Sequence, residues 1–282
     1  MRIVVIGYAS LDYVVRLDSA AQPDRTATIL SRPREWPRLG GSPAYVCAAL
    51  IRGGLRDAAP VSWVGDDAEG DRYTQDLRRS ALTTQGVSRR PGRTPVCWLA
   101  YQPDGGCLCF YDPGLVLPIE LDAEQRALVG AADSLCVTVG PAEATRQALA
   151  CARADATVIW VVKADPRATP PDLAAALAAR ADIVVHSRAE AAFVAAAGVR
   201  RESIRIETRG VHGVSIQTAG AKDIVAVDPL DAEDTTGAGD TWVGGFLAAR
   251  LGRGVDLGDA ARAGNENVRA MLAARAETKE QA

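Results

Sequence analysis

The sequence predicts an α/β fold: a mostly parallel sheet flanked by helices, with a small β-sheet set apart from it. Three observations carry this. Short apolar runs alternate with helical segments through most of the chain, which is the pattern of βαβ units. Two β-rich stretches, at about 12–38 and 95–111, interrupt the alternation and carry their own turns. Two Ala-rich helical patterns, at 238–251 and 257–274, close the chain after a Gly-rich string. The length of 282 residues suits a single α/β domain over 1–282, and 48% hydrophobic with 24% charged residues is enough to bury a core.

In chain order, RIVVIG at 2–7 is a short apolar run ending in glycine, a buried strand. From Asp12 to Arg38 the β-type pieces YVVRL and TATIL are separated by proline and polar residues. Gly40 and Gly41 make a turn that opens a helix over 44–52. VSWVG at 61–65 is a strand, and 70–80 is an amphipathic helix. VCWLAYQ and CLCFY flank Pro-Asp-Gly-Gly, a hairpin signal. Apolar runs at 134–139, 157–162 and 182–186 are strands, with helices at 142–153 and 171–180 between them. After Val199 the pattern changes to short strands, SIRIET, HGVSIQ and KDIVAV. The final ETKEQA is expected to fray.

Composition excludes several classes. A formal net charge of -3, with arginines scattered among acidic residues, leaves no electrostatic footprint for nucleic acid. MRIVVIGYASLDYVV is too short and too soon interrupted for a signal peptide. No apolar run approaches the ~20 residues that cross a bilayer, so no membrane contact is expected and the cytoplasm is the expected location. The six cysteines then read as reduced thiols. Cys107 and Cys109 share a strand face, but zinc would ask for a second pair and a wider spacing. His186 and His212 have no partner arrangement for a nucleophile triad or a metal.

The strongest local signal is Asp234-Thr235-Thr236-Gly237-Ala238-Gly239-Asp240-Thr241, followed by the apolar WVGGFLAARL. Two glycines and an alanine open a helix and leave backbone N–H groups bare. The helix N-terminus adds about half a positive charge, and together these make an anion site. Asp240 at its edge reads in two ways. It is a helix cap, or it accepts the proton of a hydroxyl that attacks phosphorus, which would explain a carboxylate beside phosphate charge. The string is not a Walker A loop, since no Gly-Lys-Ser/Thr follows. It lies too far along the chain for a dinucleotide fingerprint.

This string resembles the C-terminal signature of the ribokinase-like (PfkB-type) kinases of sugars and nucleosides. The resemblance extends over roughly residues 1–270. Gly7 with Leu11 and Asp12 resembles the family's first strand and substrate-binding Asp. Gly40-Gly41 resembles its N-terminal Gly-Gly motif, and Gly65-Asp66-Asp67-Ala68-Glu69-Gly70 its Gly-x-Asp-x-x-Gly turn. Thr208-Arg209-Gly210-Val211-His212-Gly213 resembles its nucleotide-binding turn. The resemblance implies a Rossmann-like domain with a small β-lid, which the two β-rich stretches would form. It implies ATP and Mg2+ as cofactors and a sugar or nucleoside as acceptor. Asp240 would be the base, and the amides of Gly237, Ala238 and Gly239 would hold the transferred phosphoryl group. Glu190 would place the metal and its waters; Thr208, Gly210, Gly213 and Asn265 would line the ATP site; Asp12, Gly40 and Gly41 would face the acceptor. A homodimer through the small sheet is the expected assembly.

The chain departs from the family at informative places. Ser187 stands where the Asn of Asn-x-x-Glu is usual. Tyr45 stands where an Asn usually grips sugar hydroxyls; its ring would stack on a sugar or base, or pack under the lid. Lys163 ends an apolar strand, where an open α/β sheet has its ligand crevice, or it is a surface loop residue. Arg16, Arg38 and Lys163 are candidates to meet a phosphorylated acceptor. The loop that binds a monovalent cation in many relatives is shortened or absent. Three functions therefore stand: a sugar kinase, a nucleoside kinase, and a catalytically silent protein on the same fold. The intact Gly-rich string speaks against the last.

Overall fold

The first apolar run folds as β1 (Ile3–Ile6), every residue of it buried. This is a computed structural model, and it describes residues 1–228 and 232–277. β2 (Ser10–Leu17) belongs to a second sheet, and β3 (Ile29–Ser31) and β4 (Arg38–Gly40) follow it there. Gly41, at φ 84, ends this excursion and opens α1 (Ser42–Arg52). β5 (Ala58–Gly65) is buried throughout and leads into α2 (Ala68–Arg79), capped by Asp67, which accepts from the Gly70 amide. β6 (Val87–Arg90) comes next. β7 (Val96–Tyr101) and β8 (Cys107–Asp112) form the hairpin expected from Pro-Asp-Gly-Gly, closed by the Gln102 amide on the Gly106 carbonyl at 2.8 Å.

Helix and strand then alternate as expected: α3 (Ala123–Gly130), β9 (Ser134–Val137), α4 (Ala142–Cys151), β10 (Thr157–Val161), α5 (Pro171–Arg180), β11 (Ile183–Ser187) and α6 (Ala191–Ala197). Three short strands follow, β12 (Ile204–Thr208), β13 (Val214–Gln217) and β14 (Lys222–Val225). α7 (Ala238–Leu247) runs into a π turn over Ala248–Gly252, so the expected helix over 238–251 is broken near its end. α8 (Leu257–Glu277) closes the described chain, and residues 278–282 of the expected frayed tail lie outside it.

The large sheet has the order β14-β13-β12-β11-β10-β9-β1-β5-β6. It is parallel from β6 to β12 and antiparallel at the β12-β13-β14 edge. Helices cover both faces. Ile3 and Val5 pack with residues of α1, α7 and α8, while Val4 and Ile6 pack with residues of α3, α4 and α5. That is why β1 reads as an unbroken apolar run rather than an alternating one. β1 lies between β5 and β9, so the chain leaves it first to one side and later to the other. Such a switch point leaves a crevice beyond the carboxyl ends of the strands.

The small sheet has the order β3-β2-β7-β8, with β4 also paired to β2. Its register sorts the side chains into two faces. Asp12, Cys97 and Tyr111 form one row of the inner face; Val14, Leu99 and Cys109 form the next; Arg16, Tyr101 and Cys107 form the third. Tyr13, Trp98 and Phe110 form a row on the outer face, where Tyr13 stacks on Trp98 at 4.4 Å and Trp36 meets Tyr13 edge-on at 4.9 Å.

Candidate active site

A cavity of about 520 Å³ opens where the strands of the large sheet end. Thr138, Val162, Lys163, Ser187 and Thr208, all at or just after carboxyl ends of β9, β10, β11 and β12, form its floor. The inner face of the small sheet forms the opposite wall through Asp12, Cys97, Leu99, Cys109 and Tyr111. The start of α7 closes the end between them.

Gly237 is the N-cap of α7 and sits in the left-handed region at φ 73. A Cβ there would lie 2.7 Å from the Tyr45 ring, so both backbone and space call for glycine. Gly239 is exposed, and a Cβ on it would meet nothing within 4 Å, so the loop faces open volume. The Ala238 amide is bonded to the Thr235 carbonyl at 3.0 Å. Among the described residues, the Gly237 and Gly239 amides take no backbone partner, so they are the donors an anion would meet. Asp240 lies in the first turn of α7 and lines the cavity. Burial pushes its carboxyl up to about 6, against the opposing pull of a Ser42 hydrogen bond and the Lys163 charge; Asp12 and Glu190 add to the rise. A carboxyl near 6 is ionised at neutral pH yet basic enough to take a proton.

Asp12 is almost fully buried on β2. Ser10 Oγ donates to its Oδ1 at 2.7 Å, and the Tyr45 hydroxyl donates to its Oδ2 at 3.0 Å. Burial raises its pKa in spite of those bonds and of the nearby Arg38 charge. A Cβ on Gly40 would come within 2.4 Å of this carboxylate, and one on Gly41 would lie 2.5 Å from the Tyr8 carbonyl. The two glycines thus let the acidic side chain and the strand before it lie against the start of α1. Tyr45 lines the cavity but also packs on Gly237 and Asp12, so both expected roles meet in one ring. Lys163 lines the cavity too, with Nζ 3.9 Å from Glu190 Oε1.

Glu190 is buried, and its Oε2 accepts from the Ser187 amide at 2.7 Å within a capping box. Its carboxylate nonetheless reaches the cavity wall. Thr208 ends β12 at the cavity, and Gly210 and Gly213, at φ 56 and 81, bracket the turn that follows. Gly210 and Gly213 are not among the lining residues. Asn265, on α8, is also set back from the cavity: its Oδ1 accepts from Trp242 Nε1 at 2.9 Å and its Nδ2 points to the Ala226 carbonyl at 3.4 Å. Among the described residues, no group of three or more His, Cys, Asp and Glu stands ready to enclose a metal.

Two features escaped the sequence. One is the segment just before the Gly-rich loop. Arg38 forks onto Asp234 at 2.5 and 3.1 Å, with both side chains largely buried, and Arg16 pairs with Glu233 at 2.6 Å. These two arginines, candidates for an acceptor phosphate, thus already face carboxylates. Burial alone would raise Asp234, but the Arg38 fork and Arg275 hold it below the usual carboxylate range. The other is an aromatic and thiol wall. Tyr8 and Tyr111 meet at 5.6 Å, and Cys97 and Cys109 have their sulfurs 3.4 Å apart. The hairpin signal located this strand pair but could not aim its side chains.

Known proteins share the sequence pattern and the fold. The sequence pattern of the pfkB family carbohydrate kinase matches residues 1–275. An ATP-dependent ribose-1-phosphate kinase of Halopiger xanaduensis is 30% identical over 263 residues, covering 89% of this chain and 85% of that protein. A nucleoside kinase of Methanothermobacter thermautotrophicus is 26% identical, covering 90% and 84%. Among solved structures, ribokinase from Cryptococcus neoformans in complex with ADP superposes with a TM-score of 0.78 at 19% identity, over 94% of this chain and 91% of that one. No described helix is long and apolar enough to cross a membrane. The chain belongs to the pfkB family of carbohydrate kinases, ATP-dependent phosphotransferases of sugars and nucleosides.

Proposed function

We propose that this protein transfers the γ-phosphoryl group of ATP to a hydroxyl of a small sugar, with Asp240 as the general base. The observation that carries the reading is one cavity shared by Asp240, the open Gly237 and Gly239 amides and the acceptor-side carboxylate of Asp12. The acceptor oxygen attacks the γ-phosphorus, and the bond from that phosphorus to the bridging oxygen of ADP breaks. The acceptor proton passes to Asp240, and the charge on the transferred group is met by the Gly237 and Gly239 amides, the Ala238 amide being held by the Thr235 carbonyl. Thr208 and the turn from Gly210 to Gly213, with Asn265 behind it, support the adenine nucleotide.

Glu190 suits Mg2+, since that ion keeps several waters and takes one or two carboxylates beside the phosphates. Its Oε1 is the oxygen not spent on the Ser187 amide. When bound there, the ion would offset charge across the β- and γ-phosphates. The small sheet, taken as a lid from about 12–38 and 95–111, shields the transfer from water. Lys163 and Tyr45 flank the acceptor.

A nucleoside acceptor is the second reading, favoured by Tyr8, Tyr45 and Tyr111 in the cavity wall, which suit a base as well as a sugar ring. A sugar phosphate is a variant of the first: among the described residues Lys163 is the one Lys or Arg that lines the cavity, and the Halopiger relative is named for such a substrate. An ATP-consumption screen with D-ribose, ribose 1-phosphate, D-fructose and cytidine separates these readings. Turnover with a sugar or sugar phosphate, and little with cytidine, supports the first. No turnover with any of them would leave a silent protein on a kinase fold.

The outer row of the small sheet supports a homodimer, because Trp98 and Phe110 are 44% and 60% exposed there. Sedimentation of wild type against Phe110→Glu tests it. Free thiols at all six cysteines suit the cytoplasm, where ATP is supplied.

A further inference from the structure

The short segment that precedes the anion loop is held from two directions and by a bond of its own. From the small sheet, Arg38 on β4 forks onto the Asp234 carboxylate at 2.5 and 3.1 Å. Tyr101 on β7 places its hydroxyl between two residues: it accepts from the Thr235 amide at 3.1 Å and pairs with Thr236 Oγ1 at 2.8 Å. From α8, Arg275 donates to the carbonyls of Asp234 and Thr236 at 3.3 and 2.8 Å. Within the segment, Asp234 Oδ1 accepts from the Thr236 amide at 3.0 Å. Gly237 follows directly, and its left-handed turn starts α7.

The same small sheet carries the acceptor-side carboxylate. Asp12 on β2 is the direct cross-strand partner of Arg38 on β4. Tyr101 stands on the strand paired to the other side of β2, opposite Arg16. A shift of β2 that follows from contact at Asp12 therefore moves Arg38 and Tyr101 with it, because ladder hydrogen bonds fix strands relative to one another. Arg38 and Tyr101 are separated from their loop partners by 196 and about 135 residues of chain, so contacts such as these, with the Arg16–Glu233 pair at 2.6 Å, tie the two parts together in space.

We infer that Arg38 and Tyr101 are positioning residues that tie the anion loop to the acceptor-binding sheet, so that the Gly237 and Gly239 amides reach their phosphoryl-holding geometry only while the small sheet is seated. This rests on the reading of those amides as the phosphoryl site. Neither side chain lines the cavity, so neither touches a substrate there; both act through residues 234–236. The design matches donors to the acceptor. An anion site assembled by the acceptor-binding sheet is complete when a hydroxyl is in place to attack, and less so when water stands there instead.

The test is a split between binding of ADP and binding of ADP with orthovanadate, each with Mg2+, by calorimetry. Vanadate takes the place of the transferred phosphoryl group and so reports on the loop, while ADP alone reports on the nucleotide turn. Tyr101→Phe removes one hydroxyl and keeps the ring. In that variant the ADP affinity is expected to stay within about twofold of wild type, and the tightening added by vanadate to fall about tenfold, the scale of a sub-ångström misplacement of a donor. Arg38→Lys, which keeps the charge and loses the fork, is expected to move in the same direction. kcat with the best acceptor from the screen should fall with little change in KM for ATP. Vanadate tightening in Tyr101→Phe equal to wild type overturns the tie. Loss of ADP affinity in step with vanadate affinity also overturns it, as a general loosening of the fold. A wild-type protein to which vanadate adds nothing removes the phosphoryl-site reading itself, and the inference with it.

Discussion

The cavity lies between two sheets built in opposite ways. β1, β5 and β9 of the large sheet are buried at every residue and covered by helices on both faces. The small sheet turns one face to the cavity and leaves Trp98 and Phe110 of the other open. A strand end packed between two layers has little freedom, so what it carries is fixed in place. The groups proposed to meet phosphate lie against the large sheet, at the start of α7 and after β11 and β12. The groups expected to choose the acceptor lie on the small sheet or on α1 under it. On the proposed function, catalytic geometry and selectivity would rest on structures of different stiffness.

The largest effect expected is on the stiff side. Asp240→Asn keeps the size of the side chain and most of its hydrogen bonding, and removes proton acceptance. Turnover should fall by roughly 10²–10⁴ with both ligands still bound and the melting temperature near wild type. Near-wild-type turnover would leave Asp240 as a helix cap alone. Next in size is Leu135→Ala in β9, a fully buried residue, expected to cost about 2–5 kcal/mol of stability by denaturant unfolding. A loss under about 1 kcal/mol would deny that this sheet is the stiffer one.

Tyr45→Asn restores the polar residue usual in the family, and frees Asp12 Oδ2 of its tyrosine partner. It should shift the ratio of kcat/KM between a small polyol and a bulkier acceptor by the equivalent of ~1–3 kcal/mol. An unchanged ratio would assign Tyr45 to packing against Gly237. The pH profile gives a smaller effect. Asp240 has its folded pKa raised to about 6, so the base is lost as pH falls through 6, and kcat/KM should drop about tenfold per unit below it. Its effect on stability has the opposite sign: the folded state holds the proton more tightly, so this group favours folding at low pH and loses that contribution as pH rises through about 6. A flat profile down to pH 5 would break the assignment. The smallest effect is expected for Phe110→Ala on the open face, within about 0.5 kcal/mol for the monomer.

Much of the fold was legible because it is written locally. Continuous apolar runs, a Pro-Asp-Gly-Gly turn and two Ala-rich closing helices each announce themselves within a dozen residues. The elements that escaped are those with weak local signals. β6 reads VSRR, three polar residues in four, and forms because β5 offers it an edge. α3 is short, but its capping box of Asp122 and Gln125 was there to be read. α6 is a run of alanines around Phe193 and Val194 that no periodicity distinguishes. The candidate site divides in the same way. Gly40 and Gly41 stand out as a glycine pair opening a helix, and Gly237 and Asp240 as glycines beside an acidic residue at another helix start.

The sequence by itself determined that this is a mostly parallel α/β fold of the kinase family, with a Gly-rich loop at a helix start beside a carboxylate. Backbone conformation and strand burial are set by residues near in the chain, and their patterns survive in one dimension. Only the tertiary structure decided how Asp12 is held by Ser10 and Tyr45, why Arg38 faces Asp234 rather than a ligand, and that Tyr101 reaches the loop before α7. The contacts of Tyr45, Arg38 and Tyr101 join residues 33 to 196 positions apart, brought together by the seat of one sheet over another. A side chain's partner at such a distance depends on the packing of whole layers, and no local pattern encodes it.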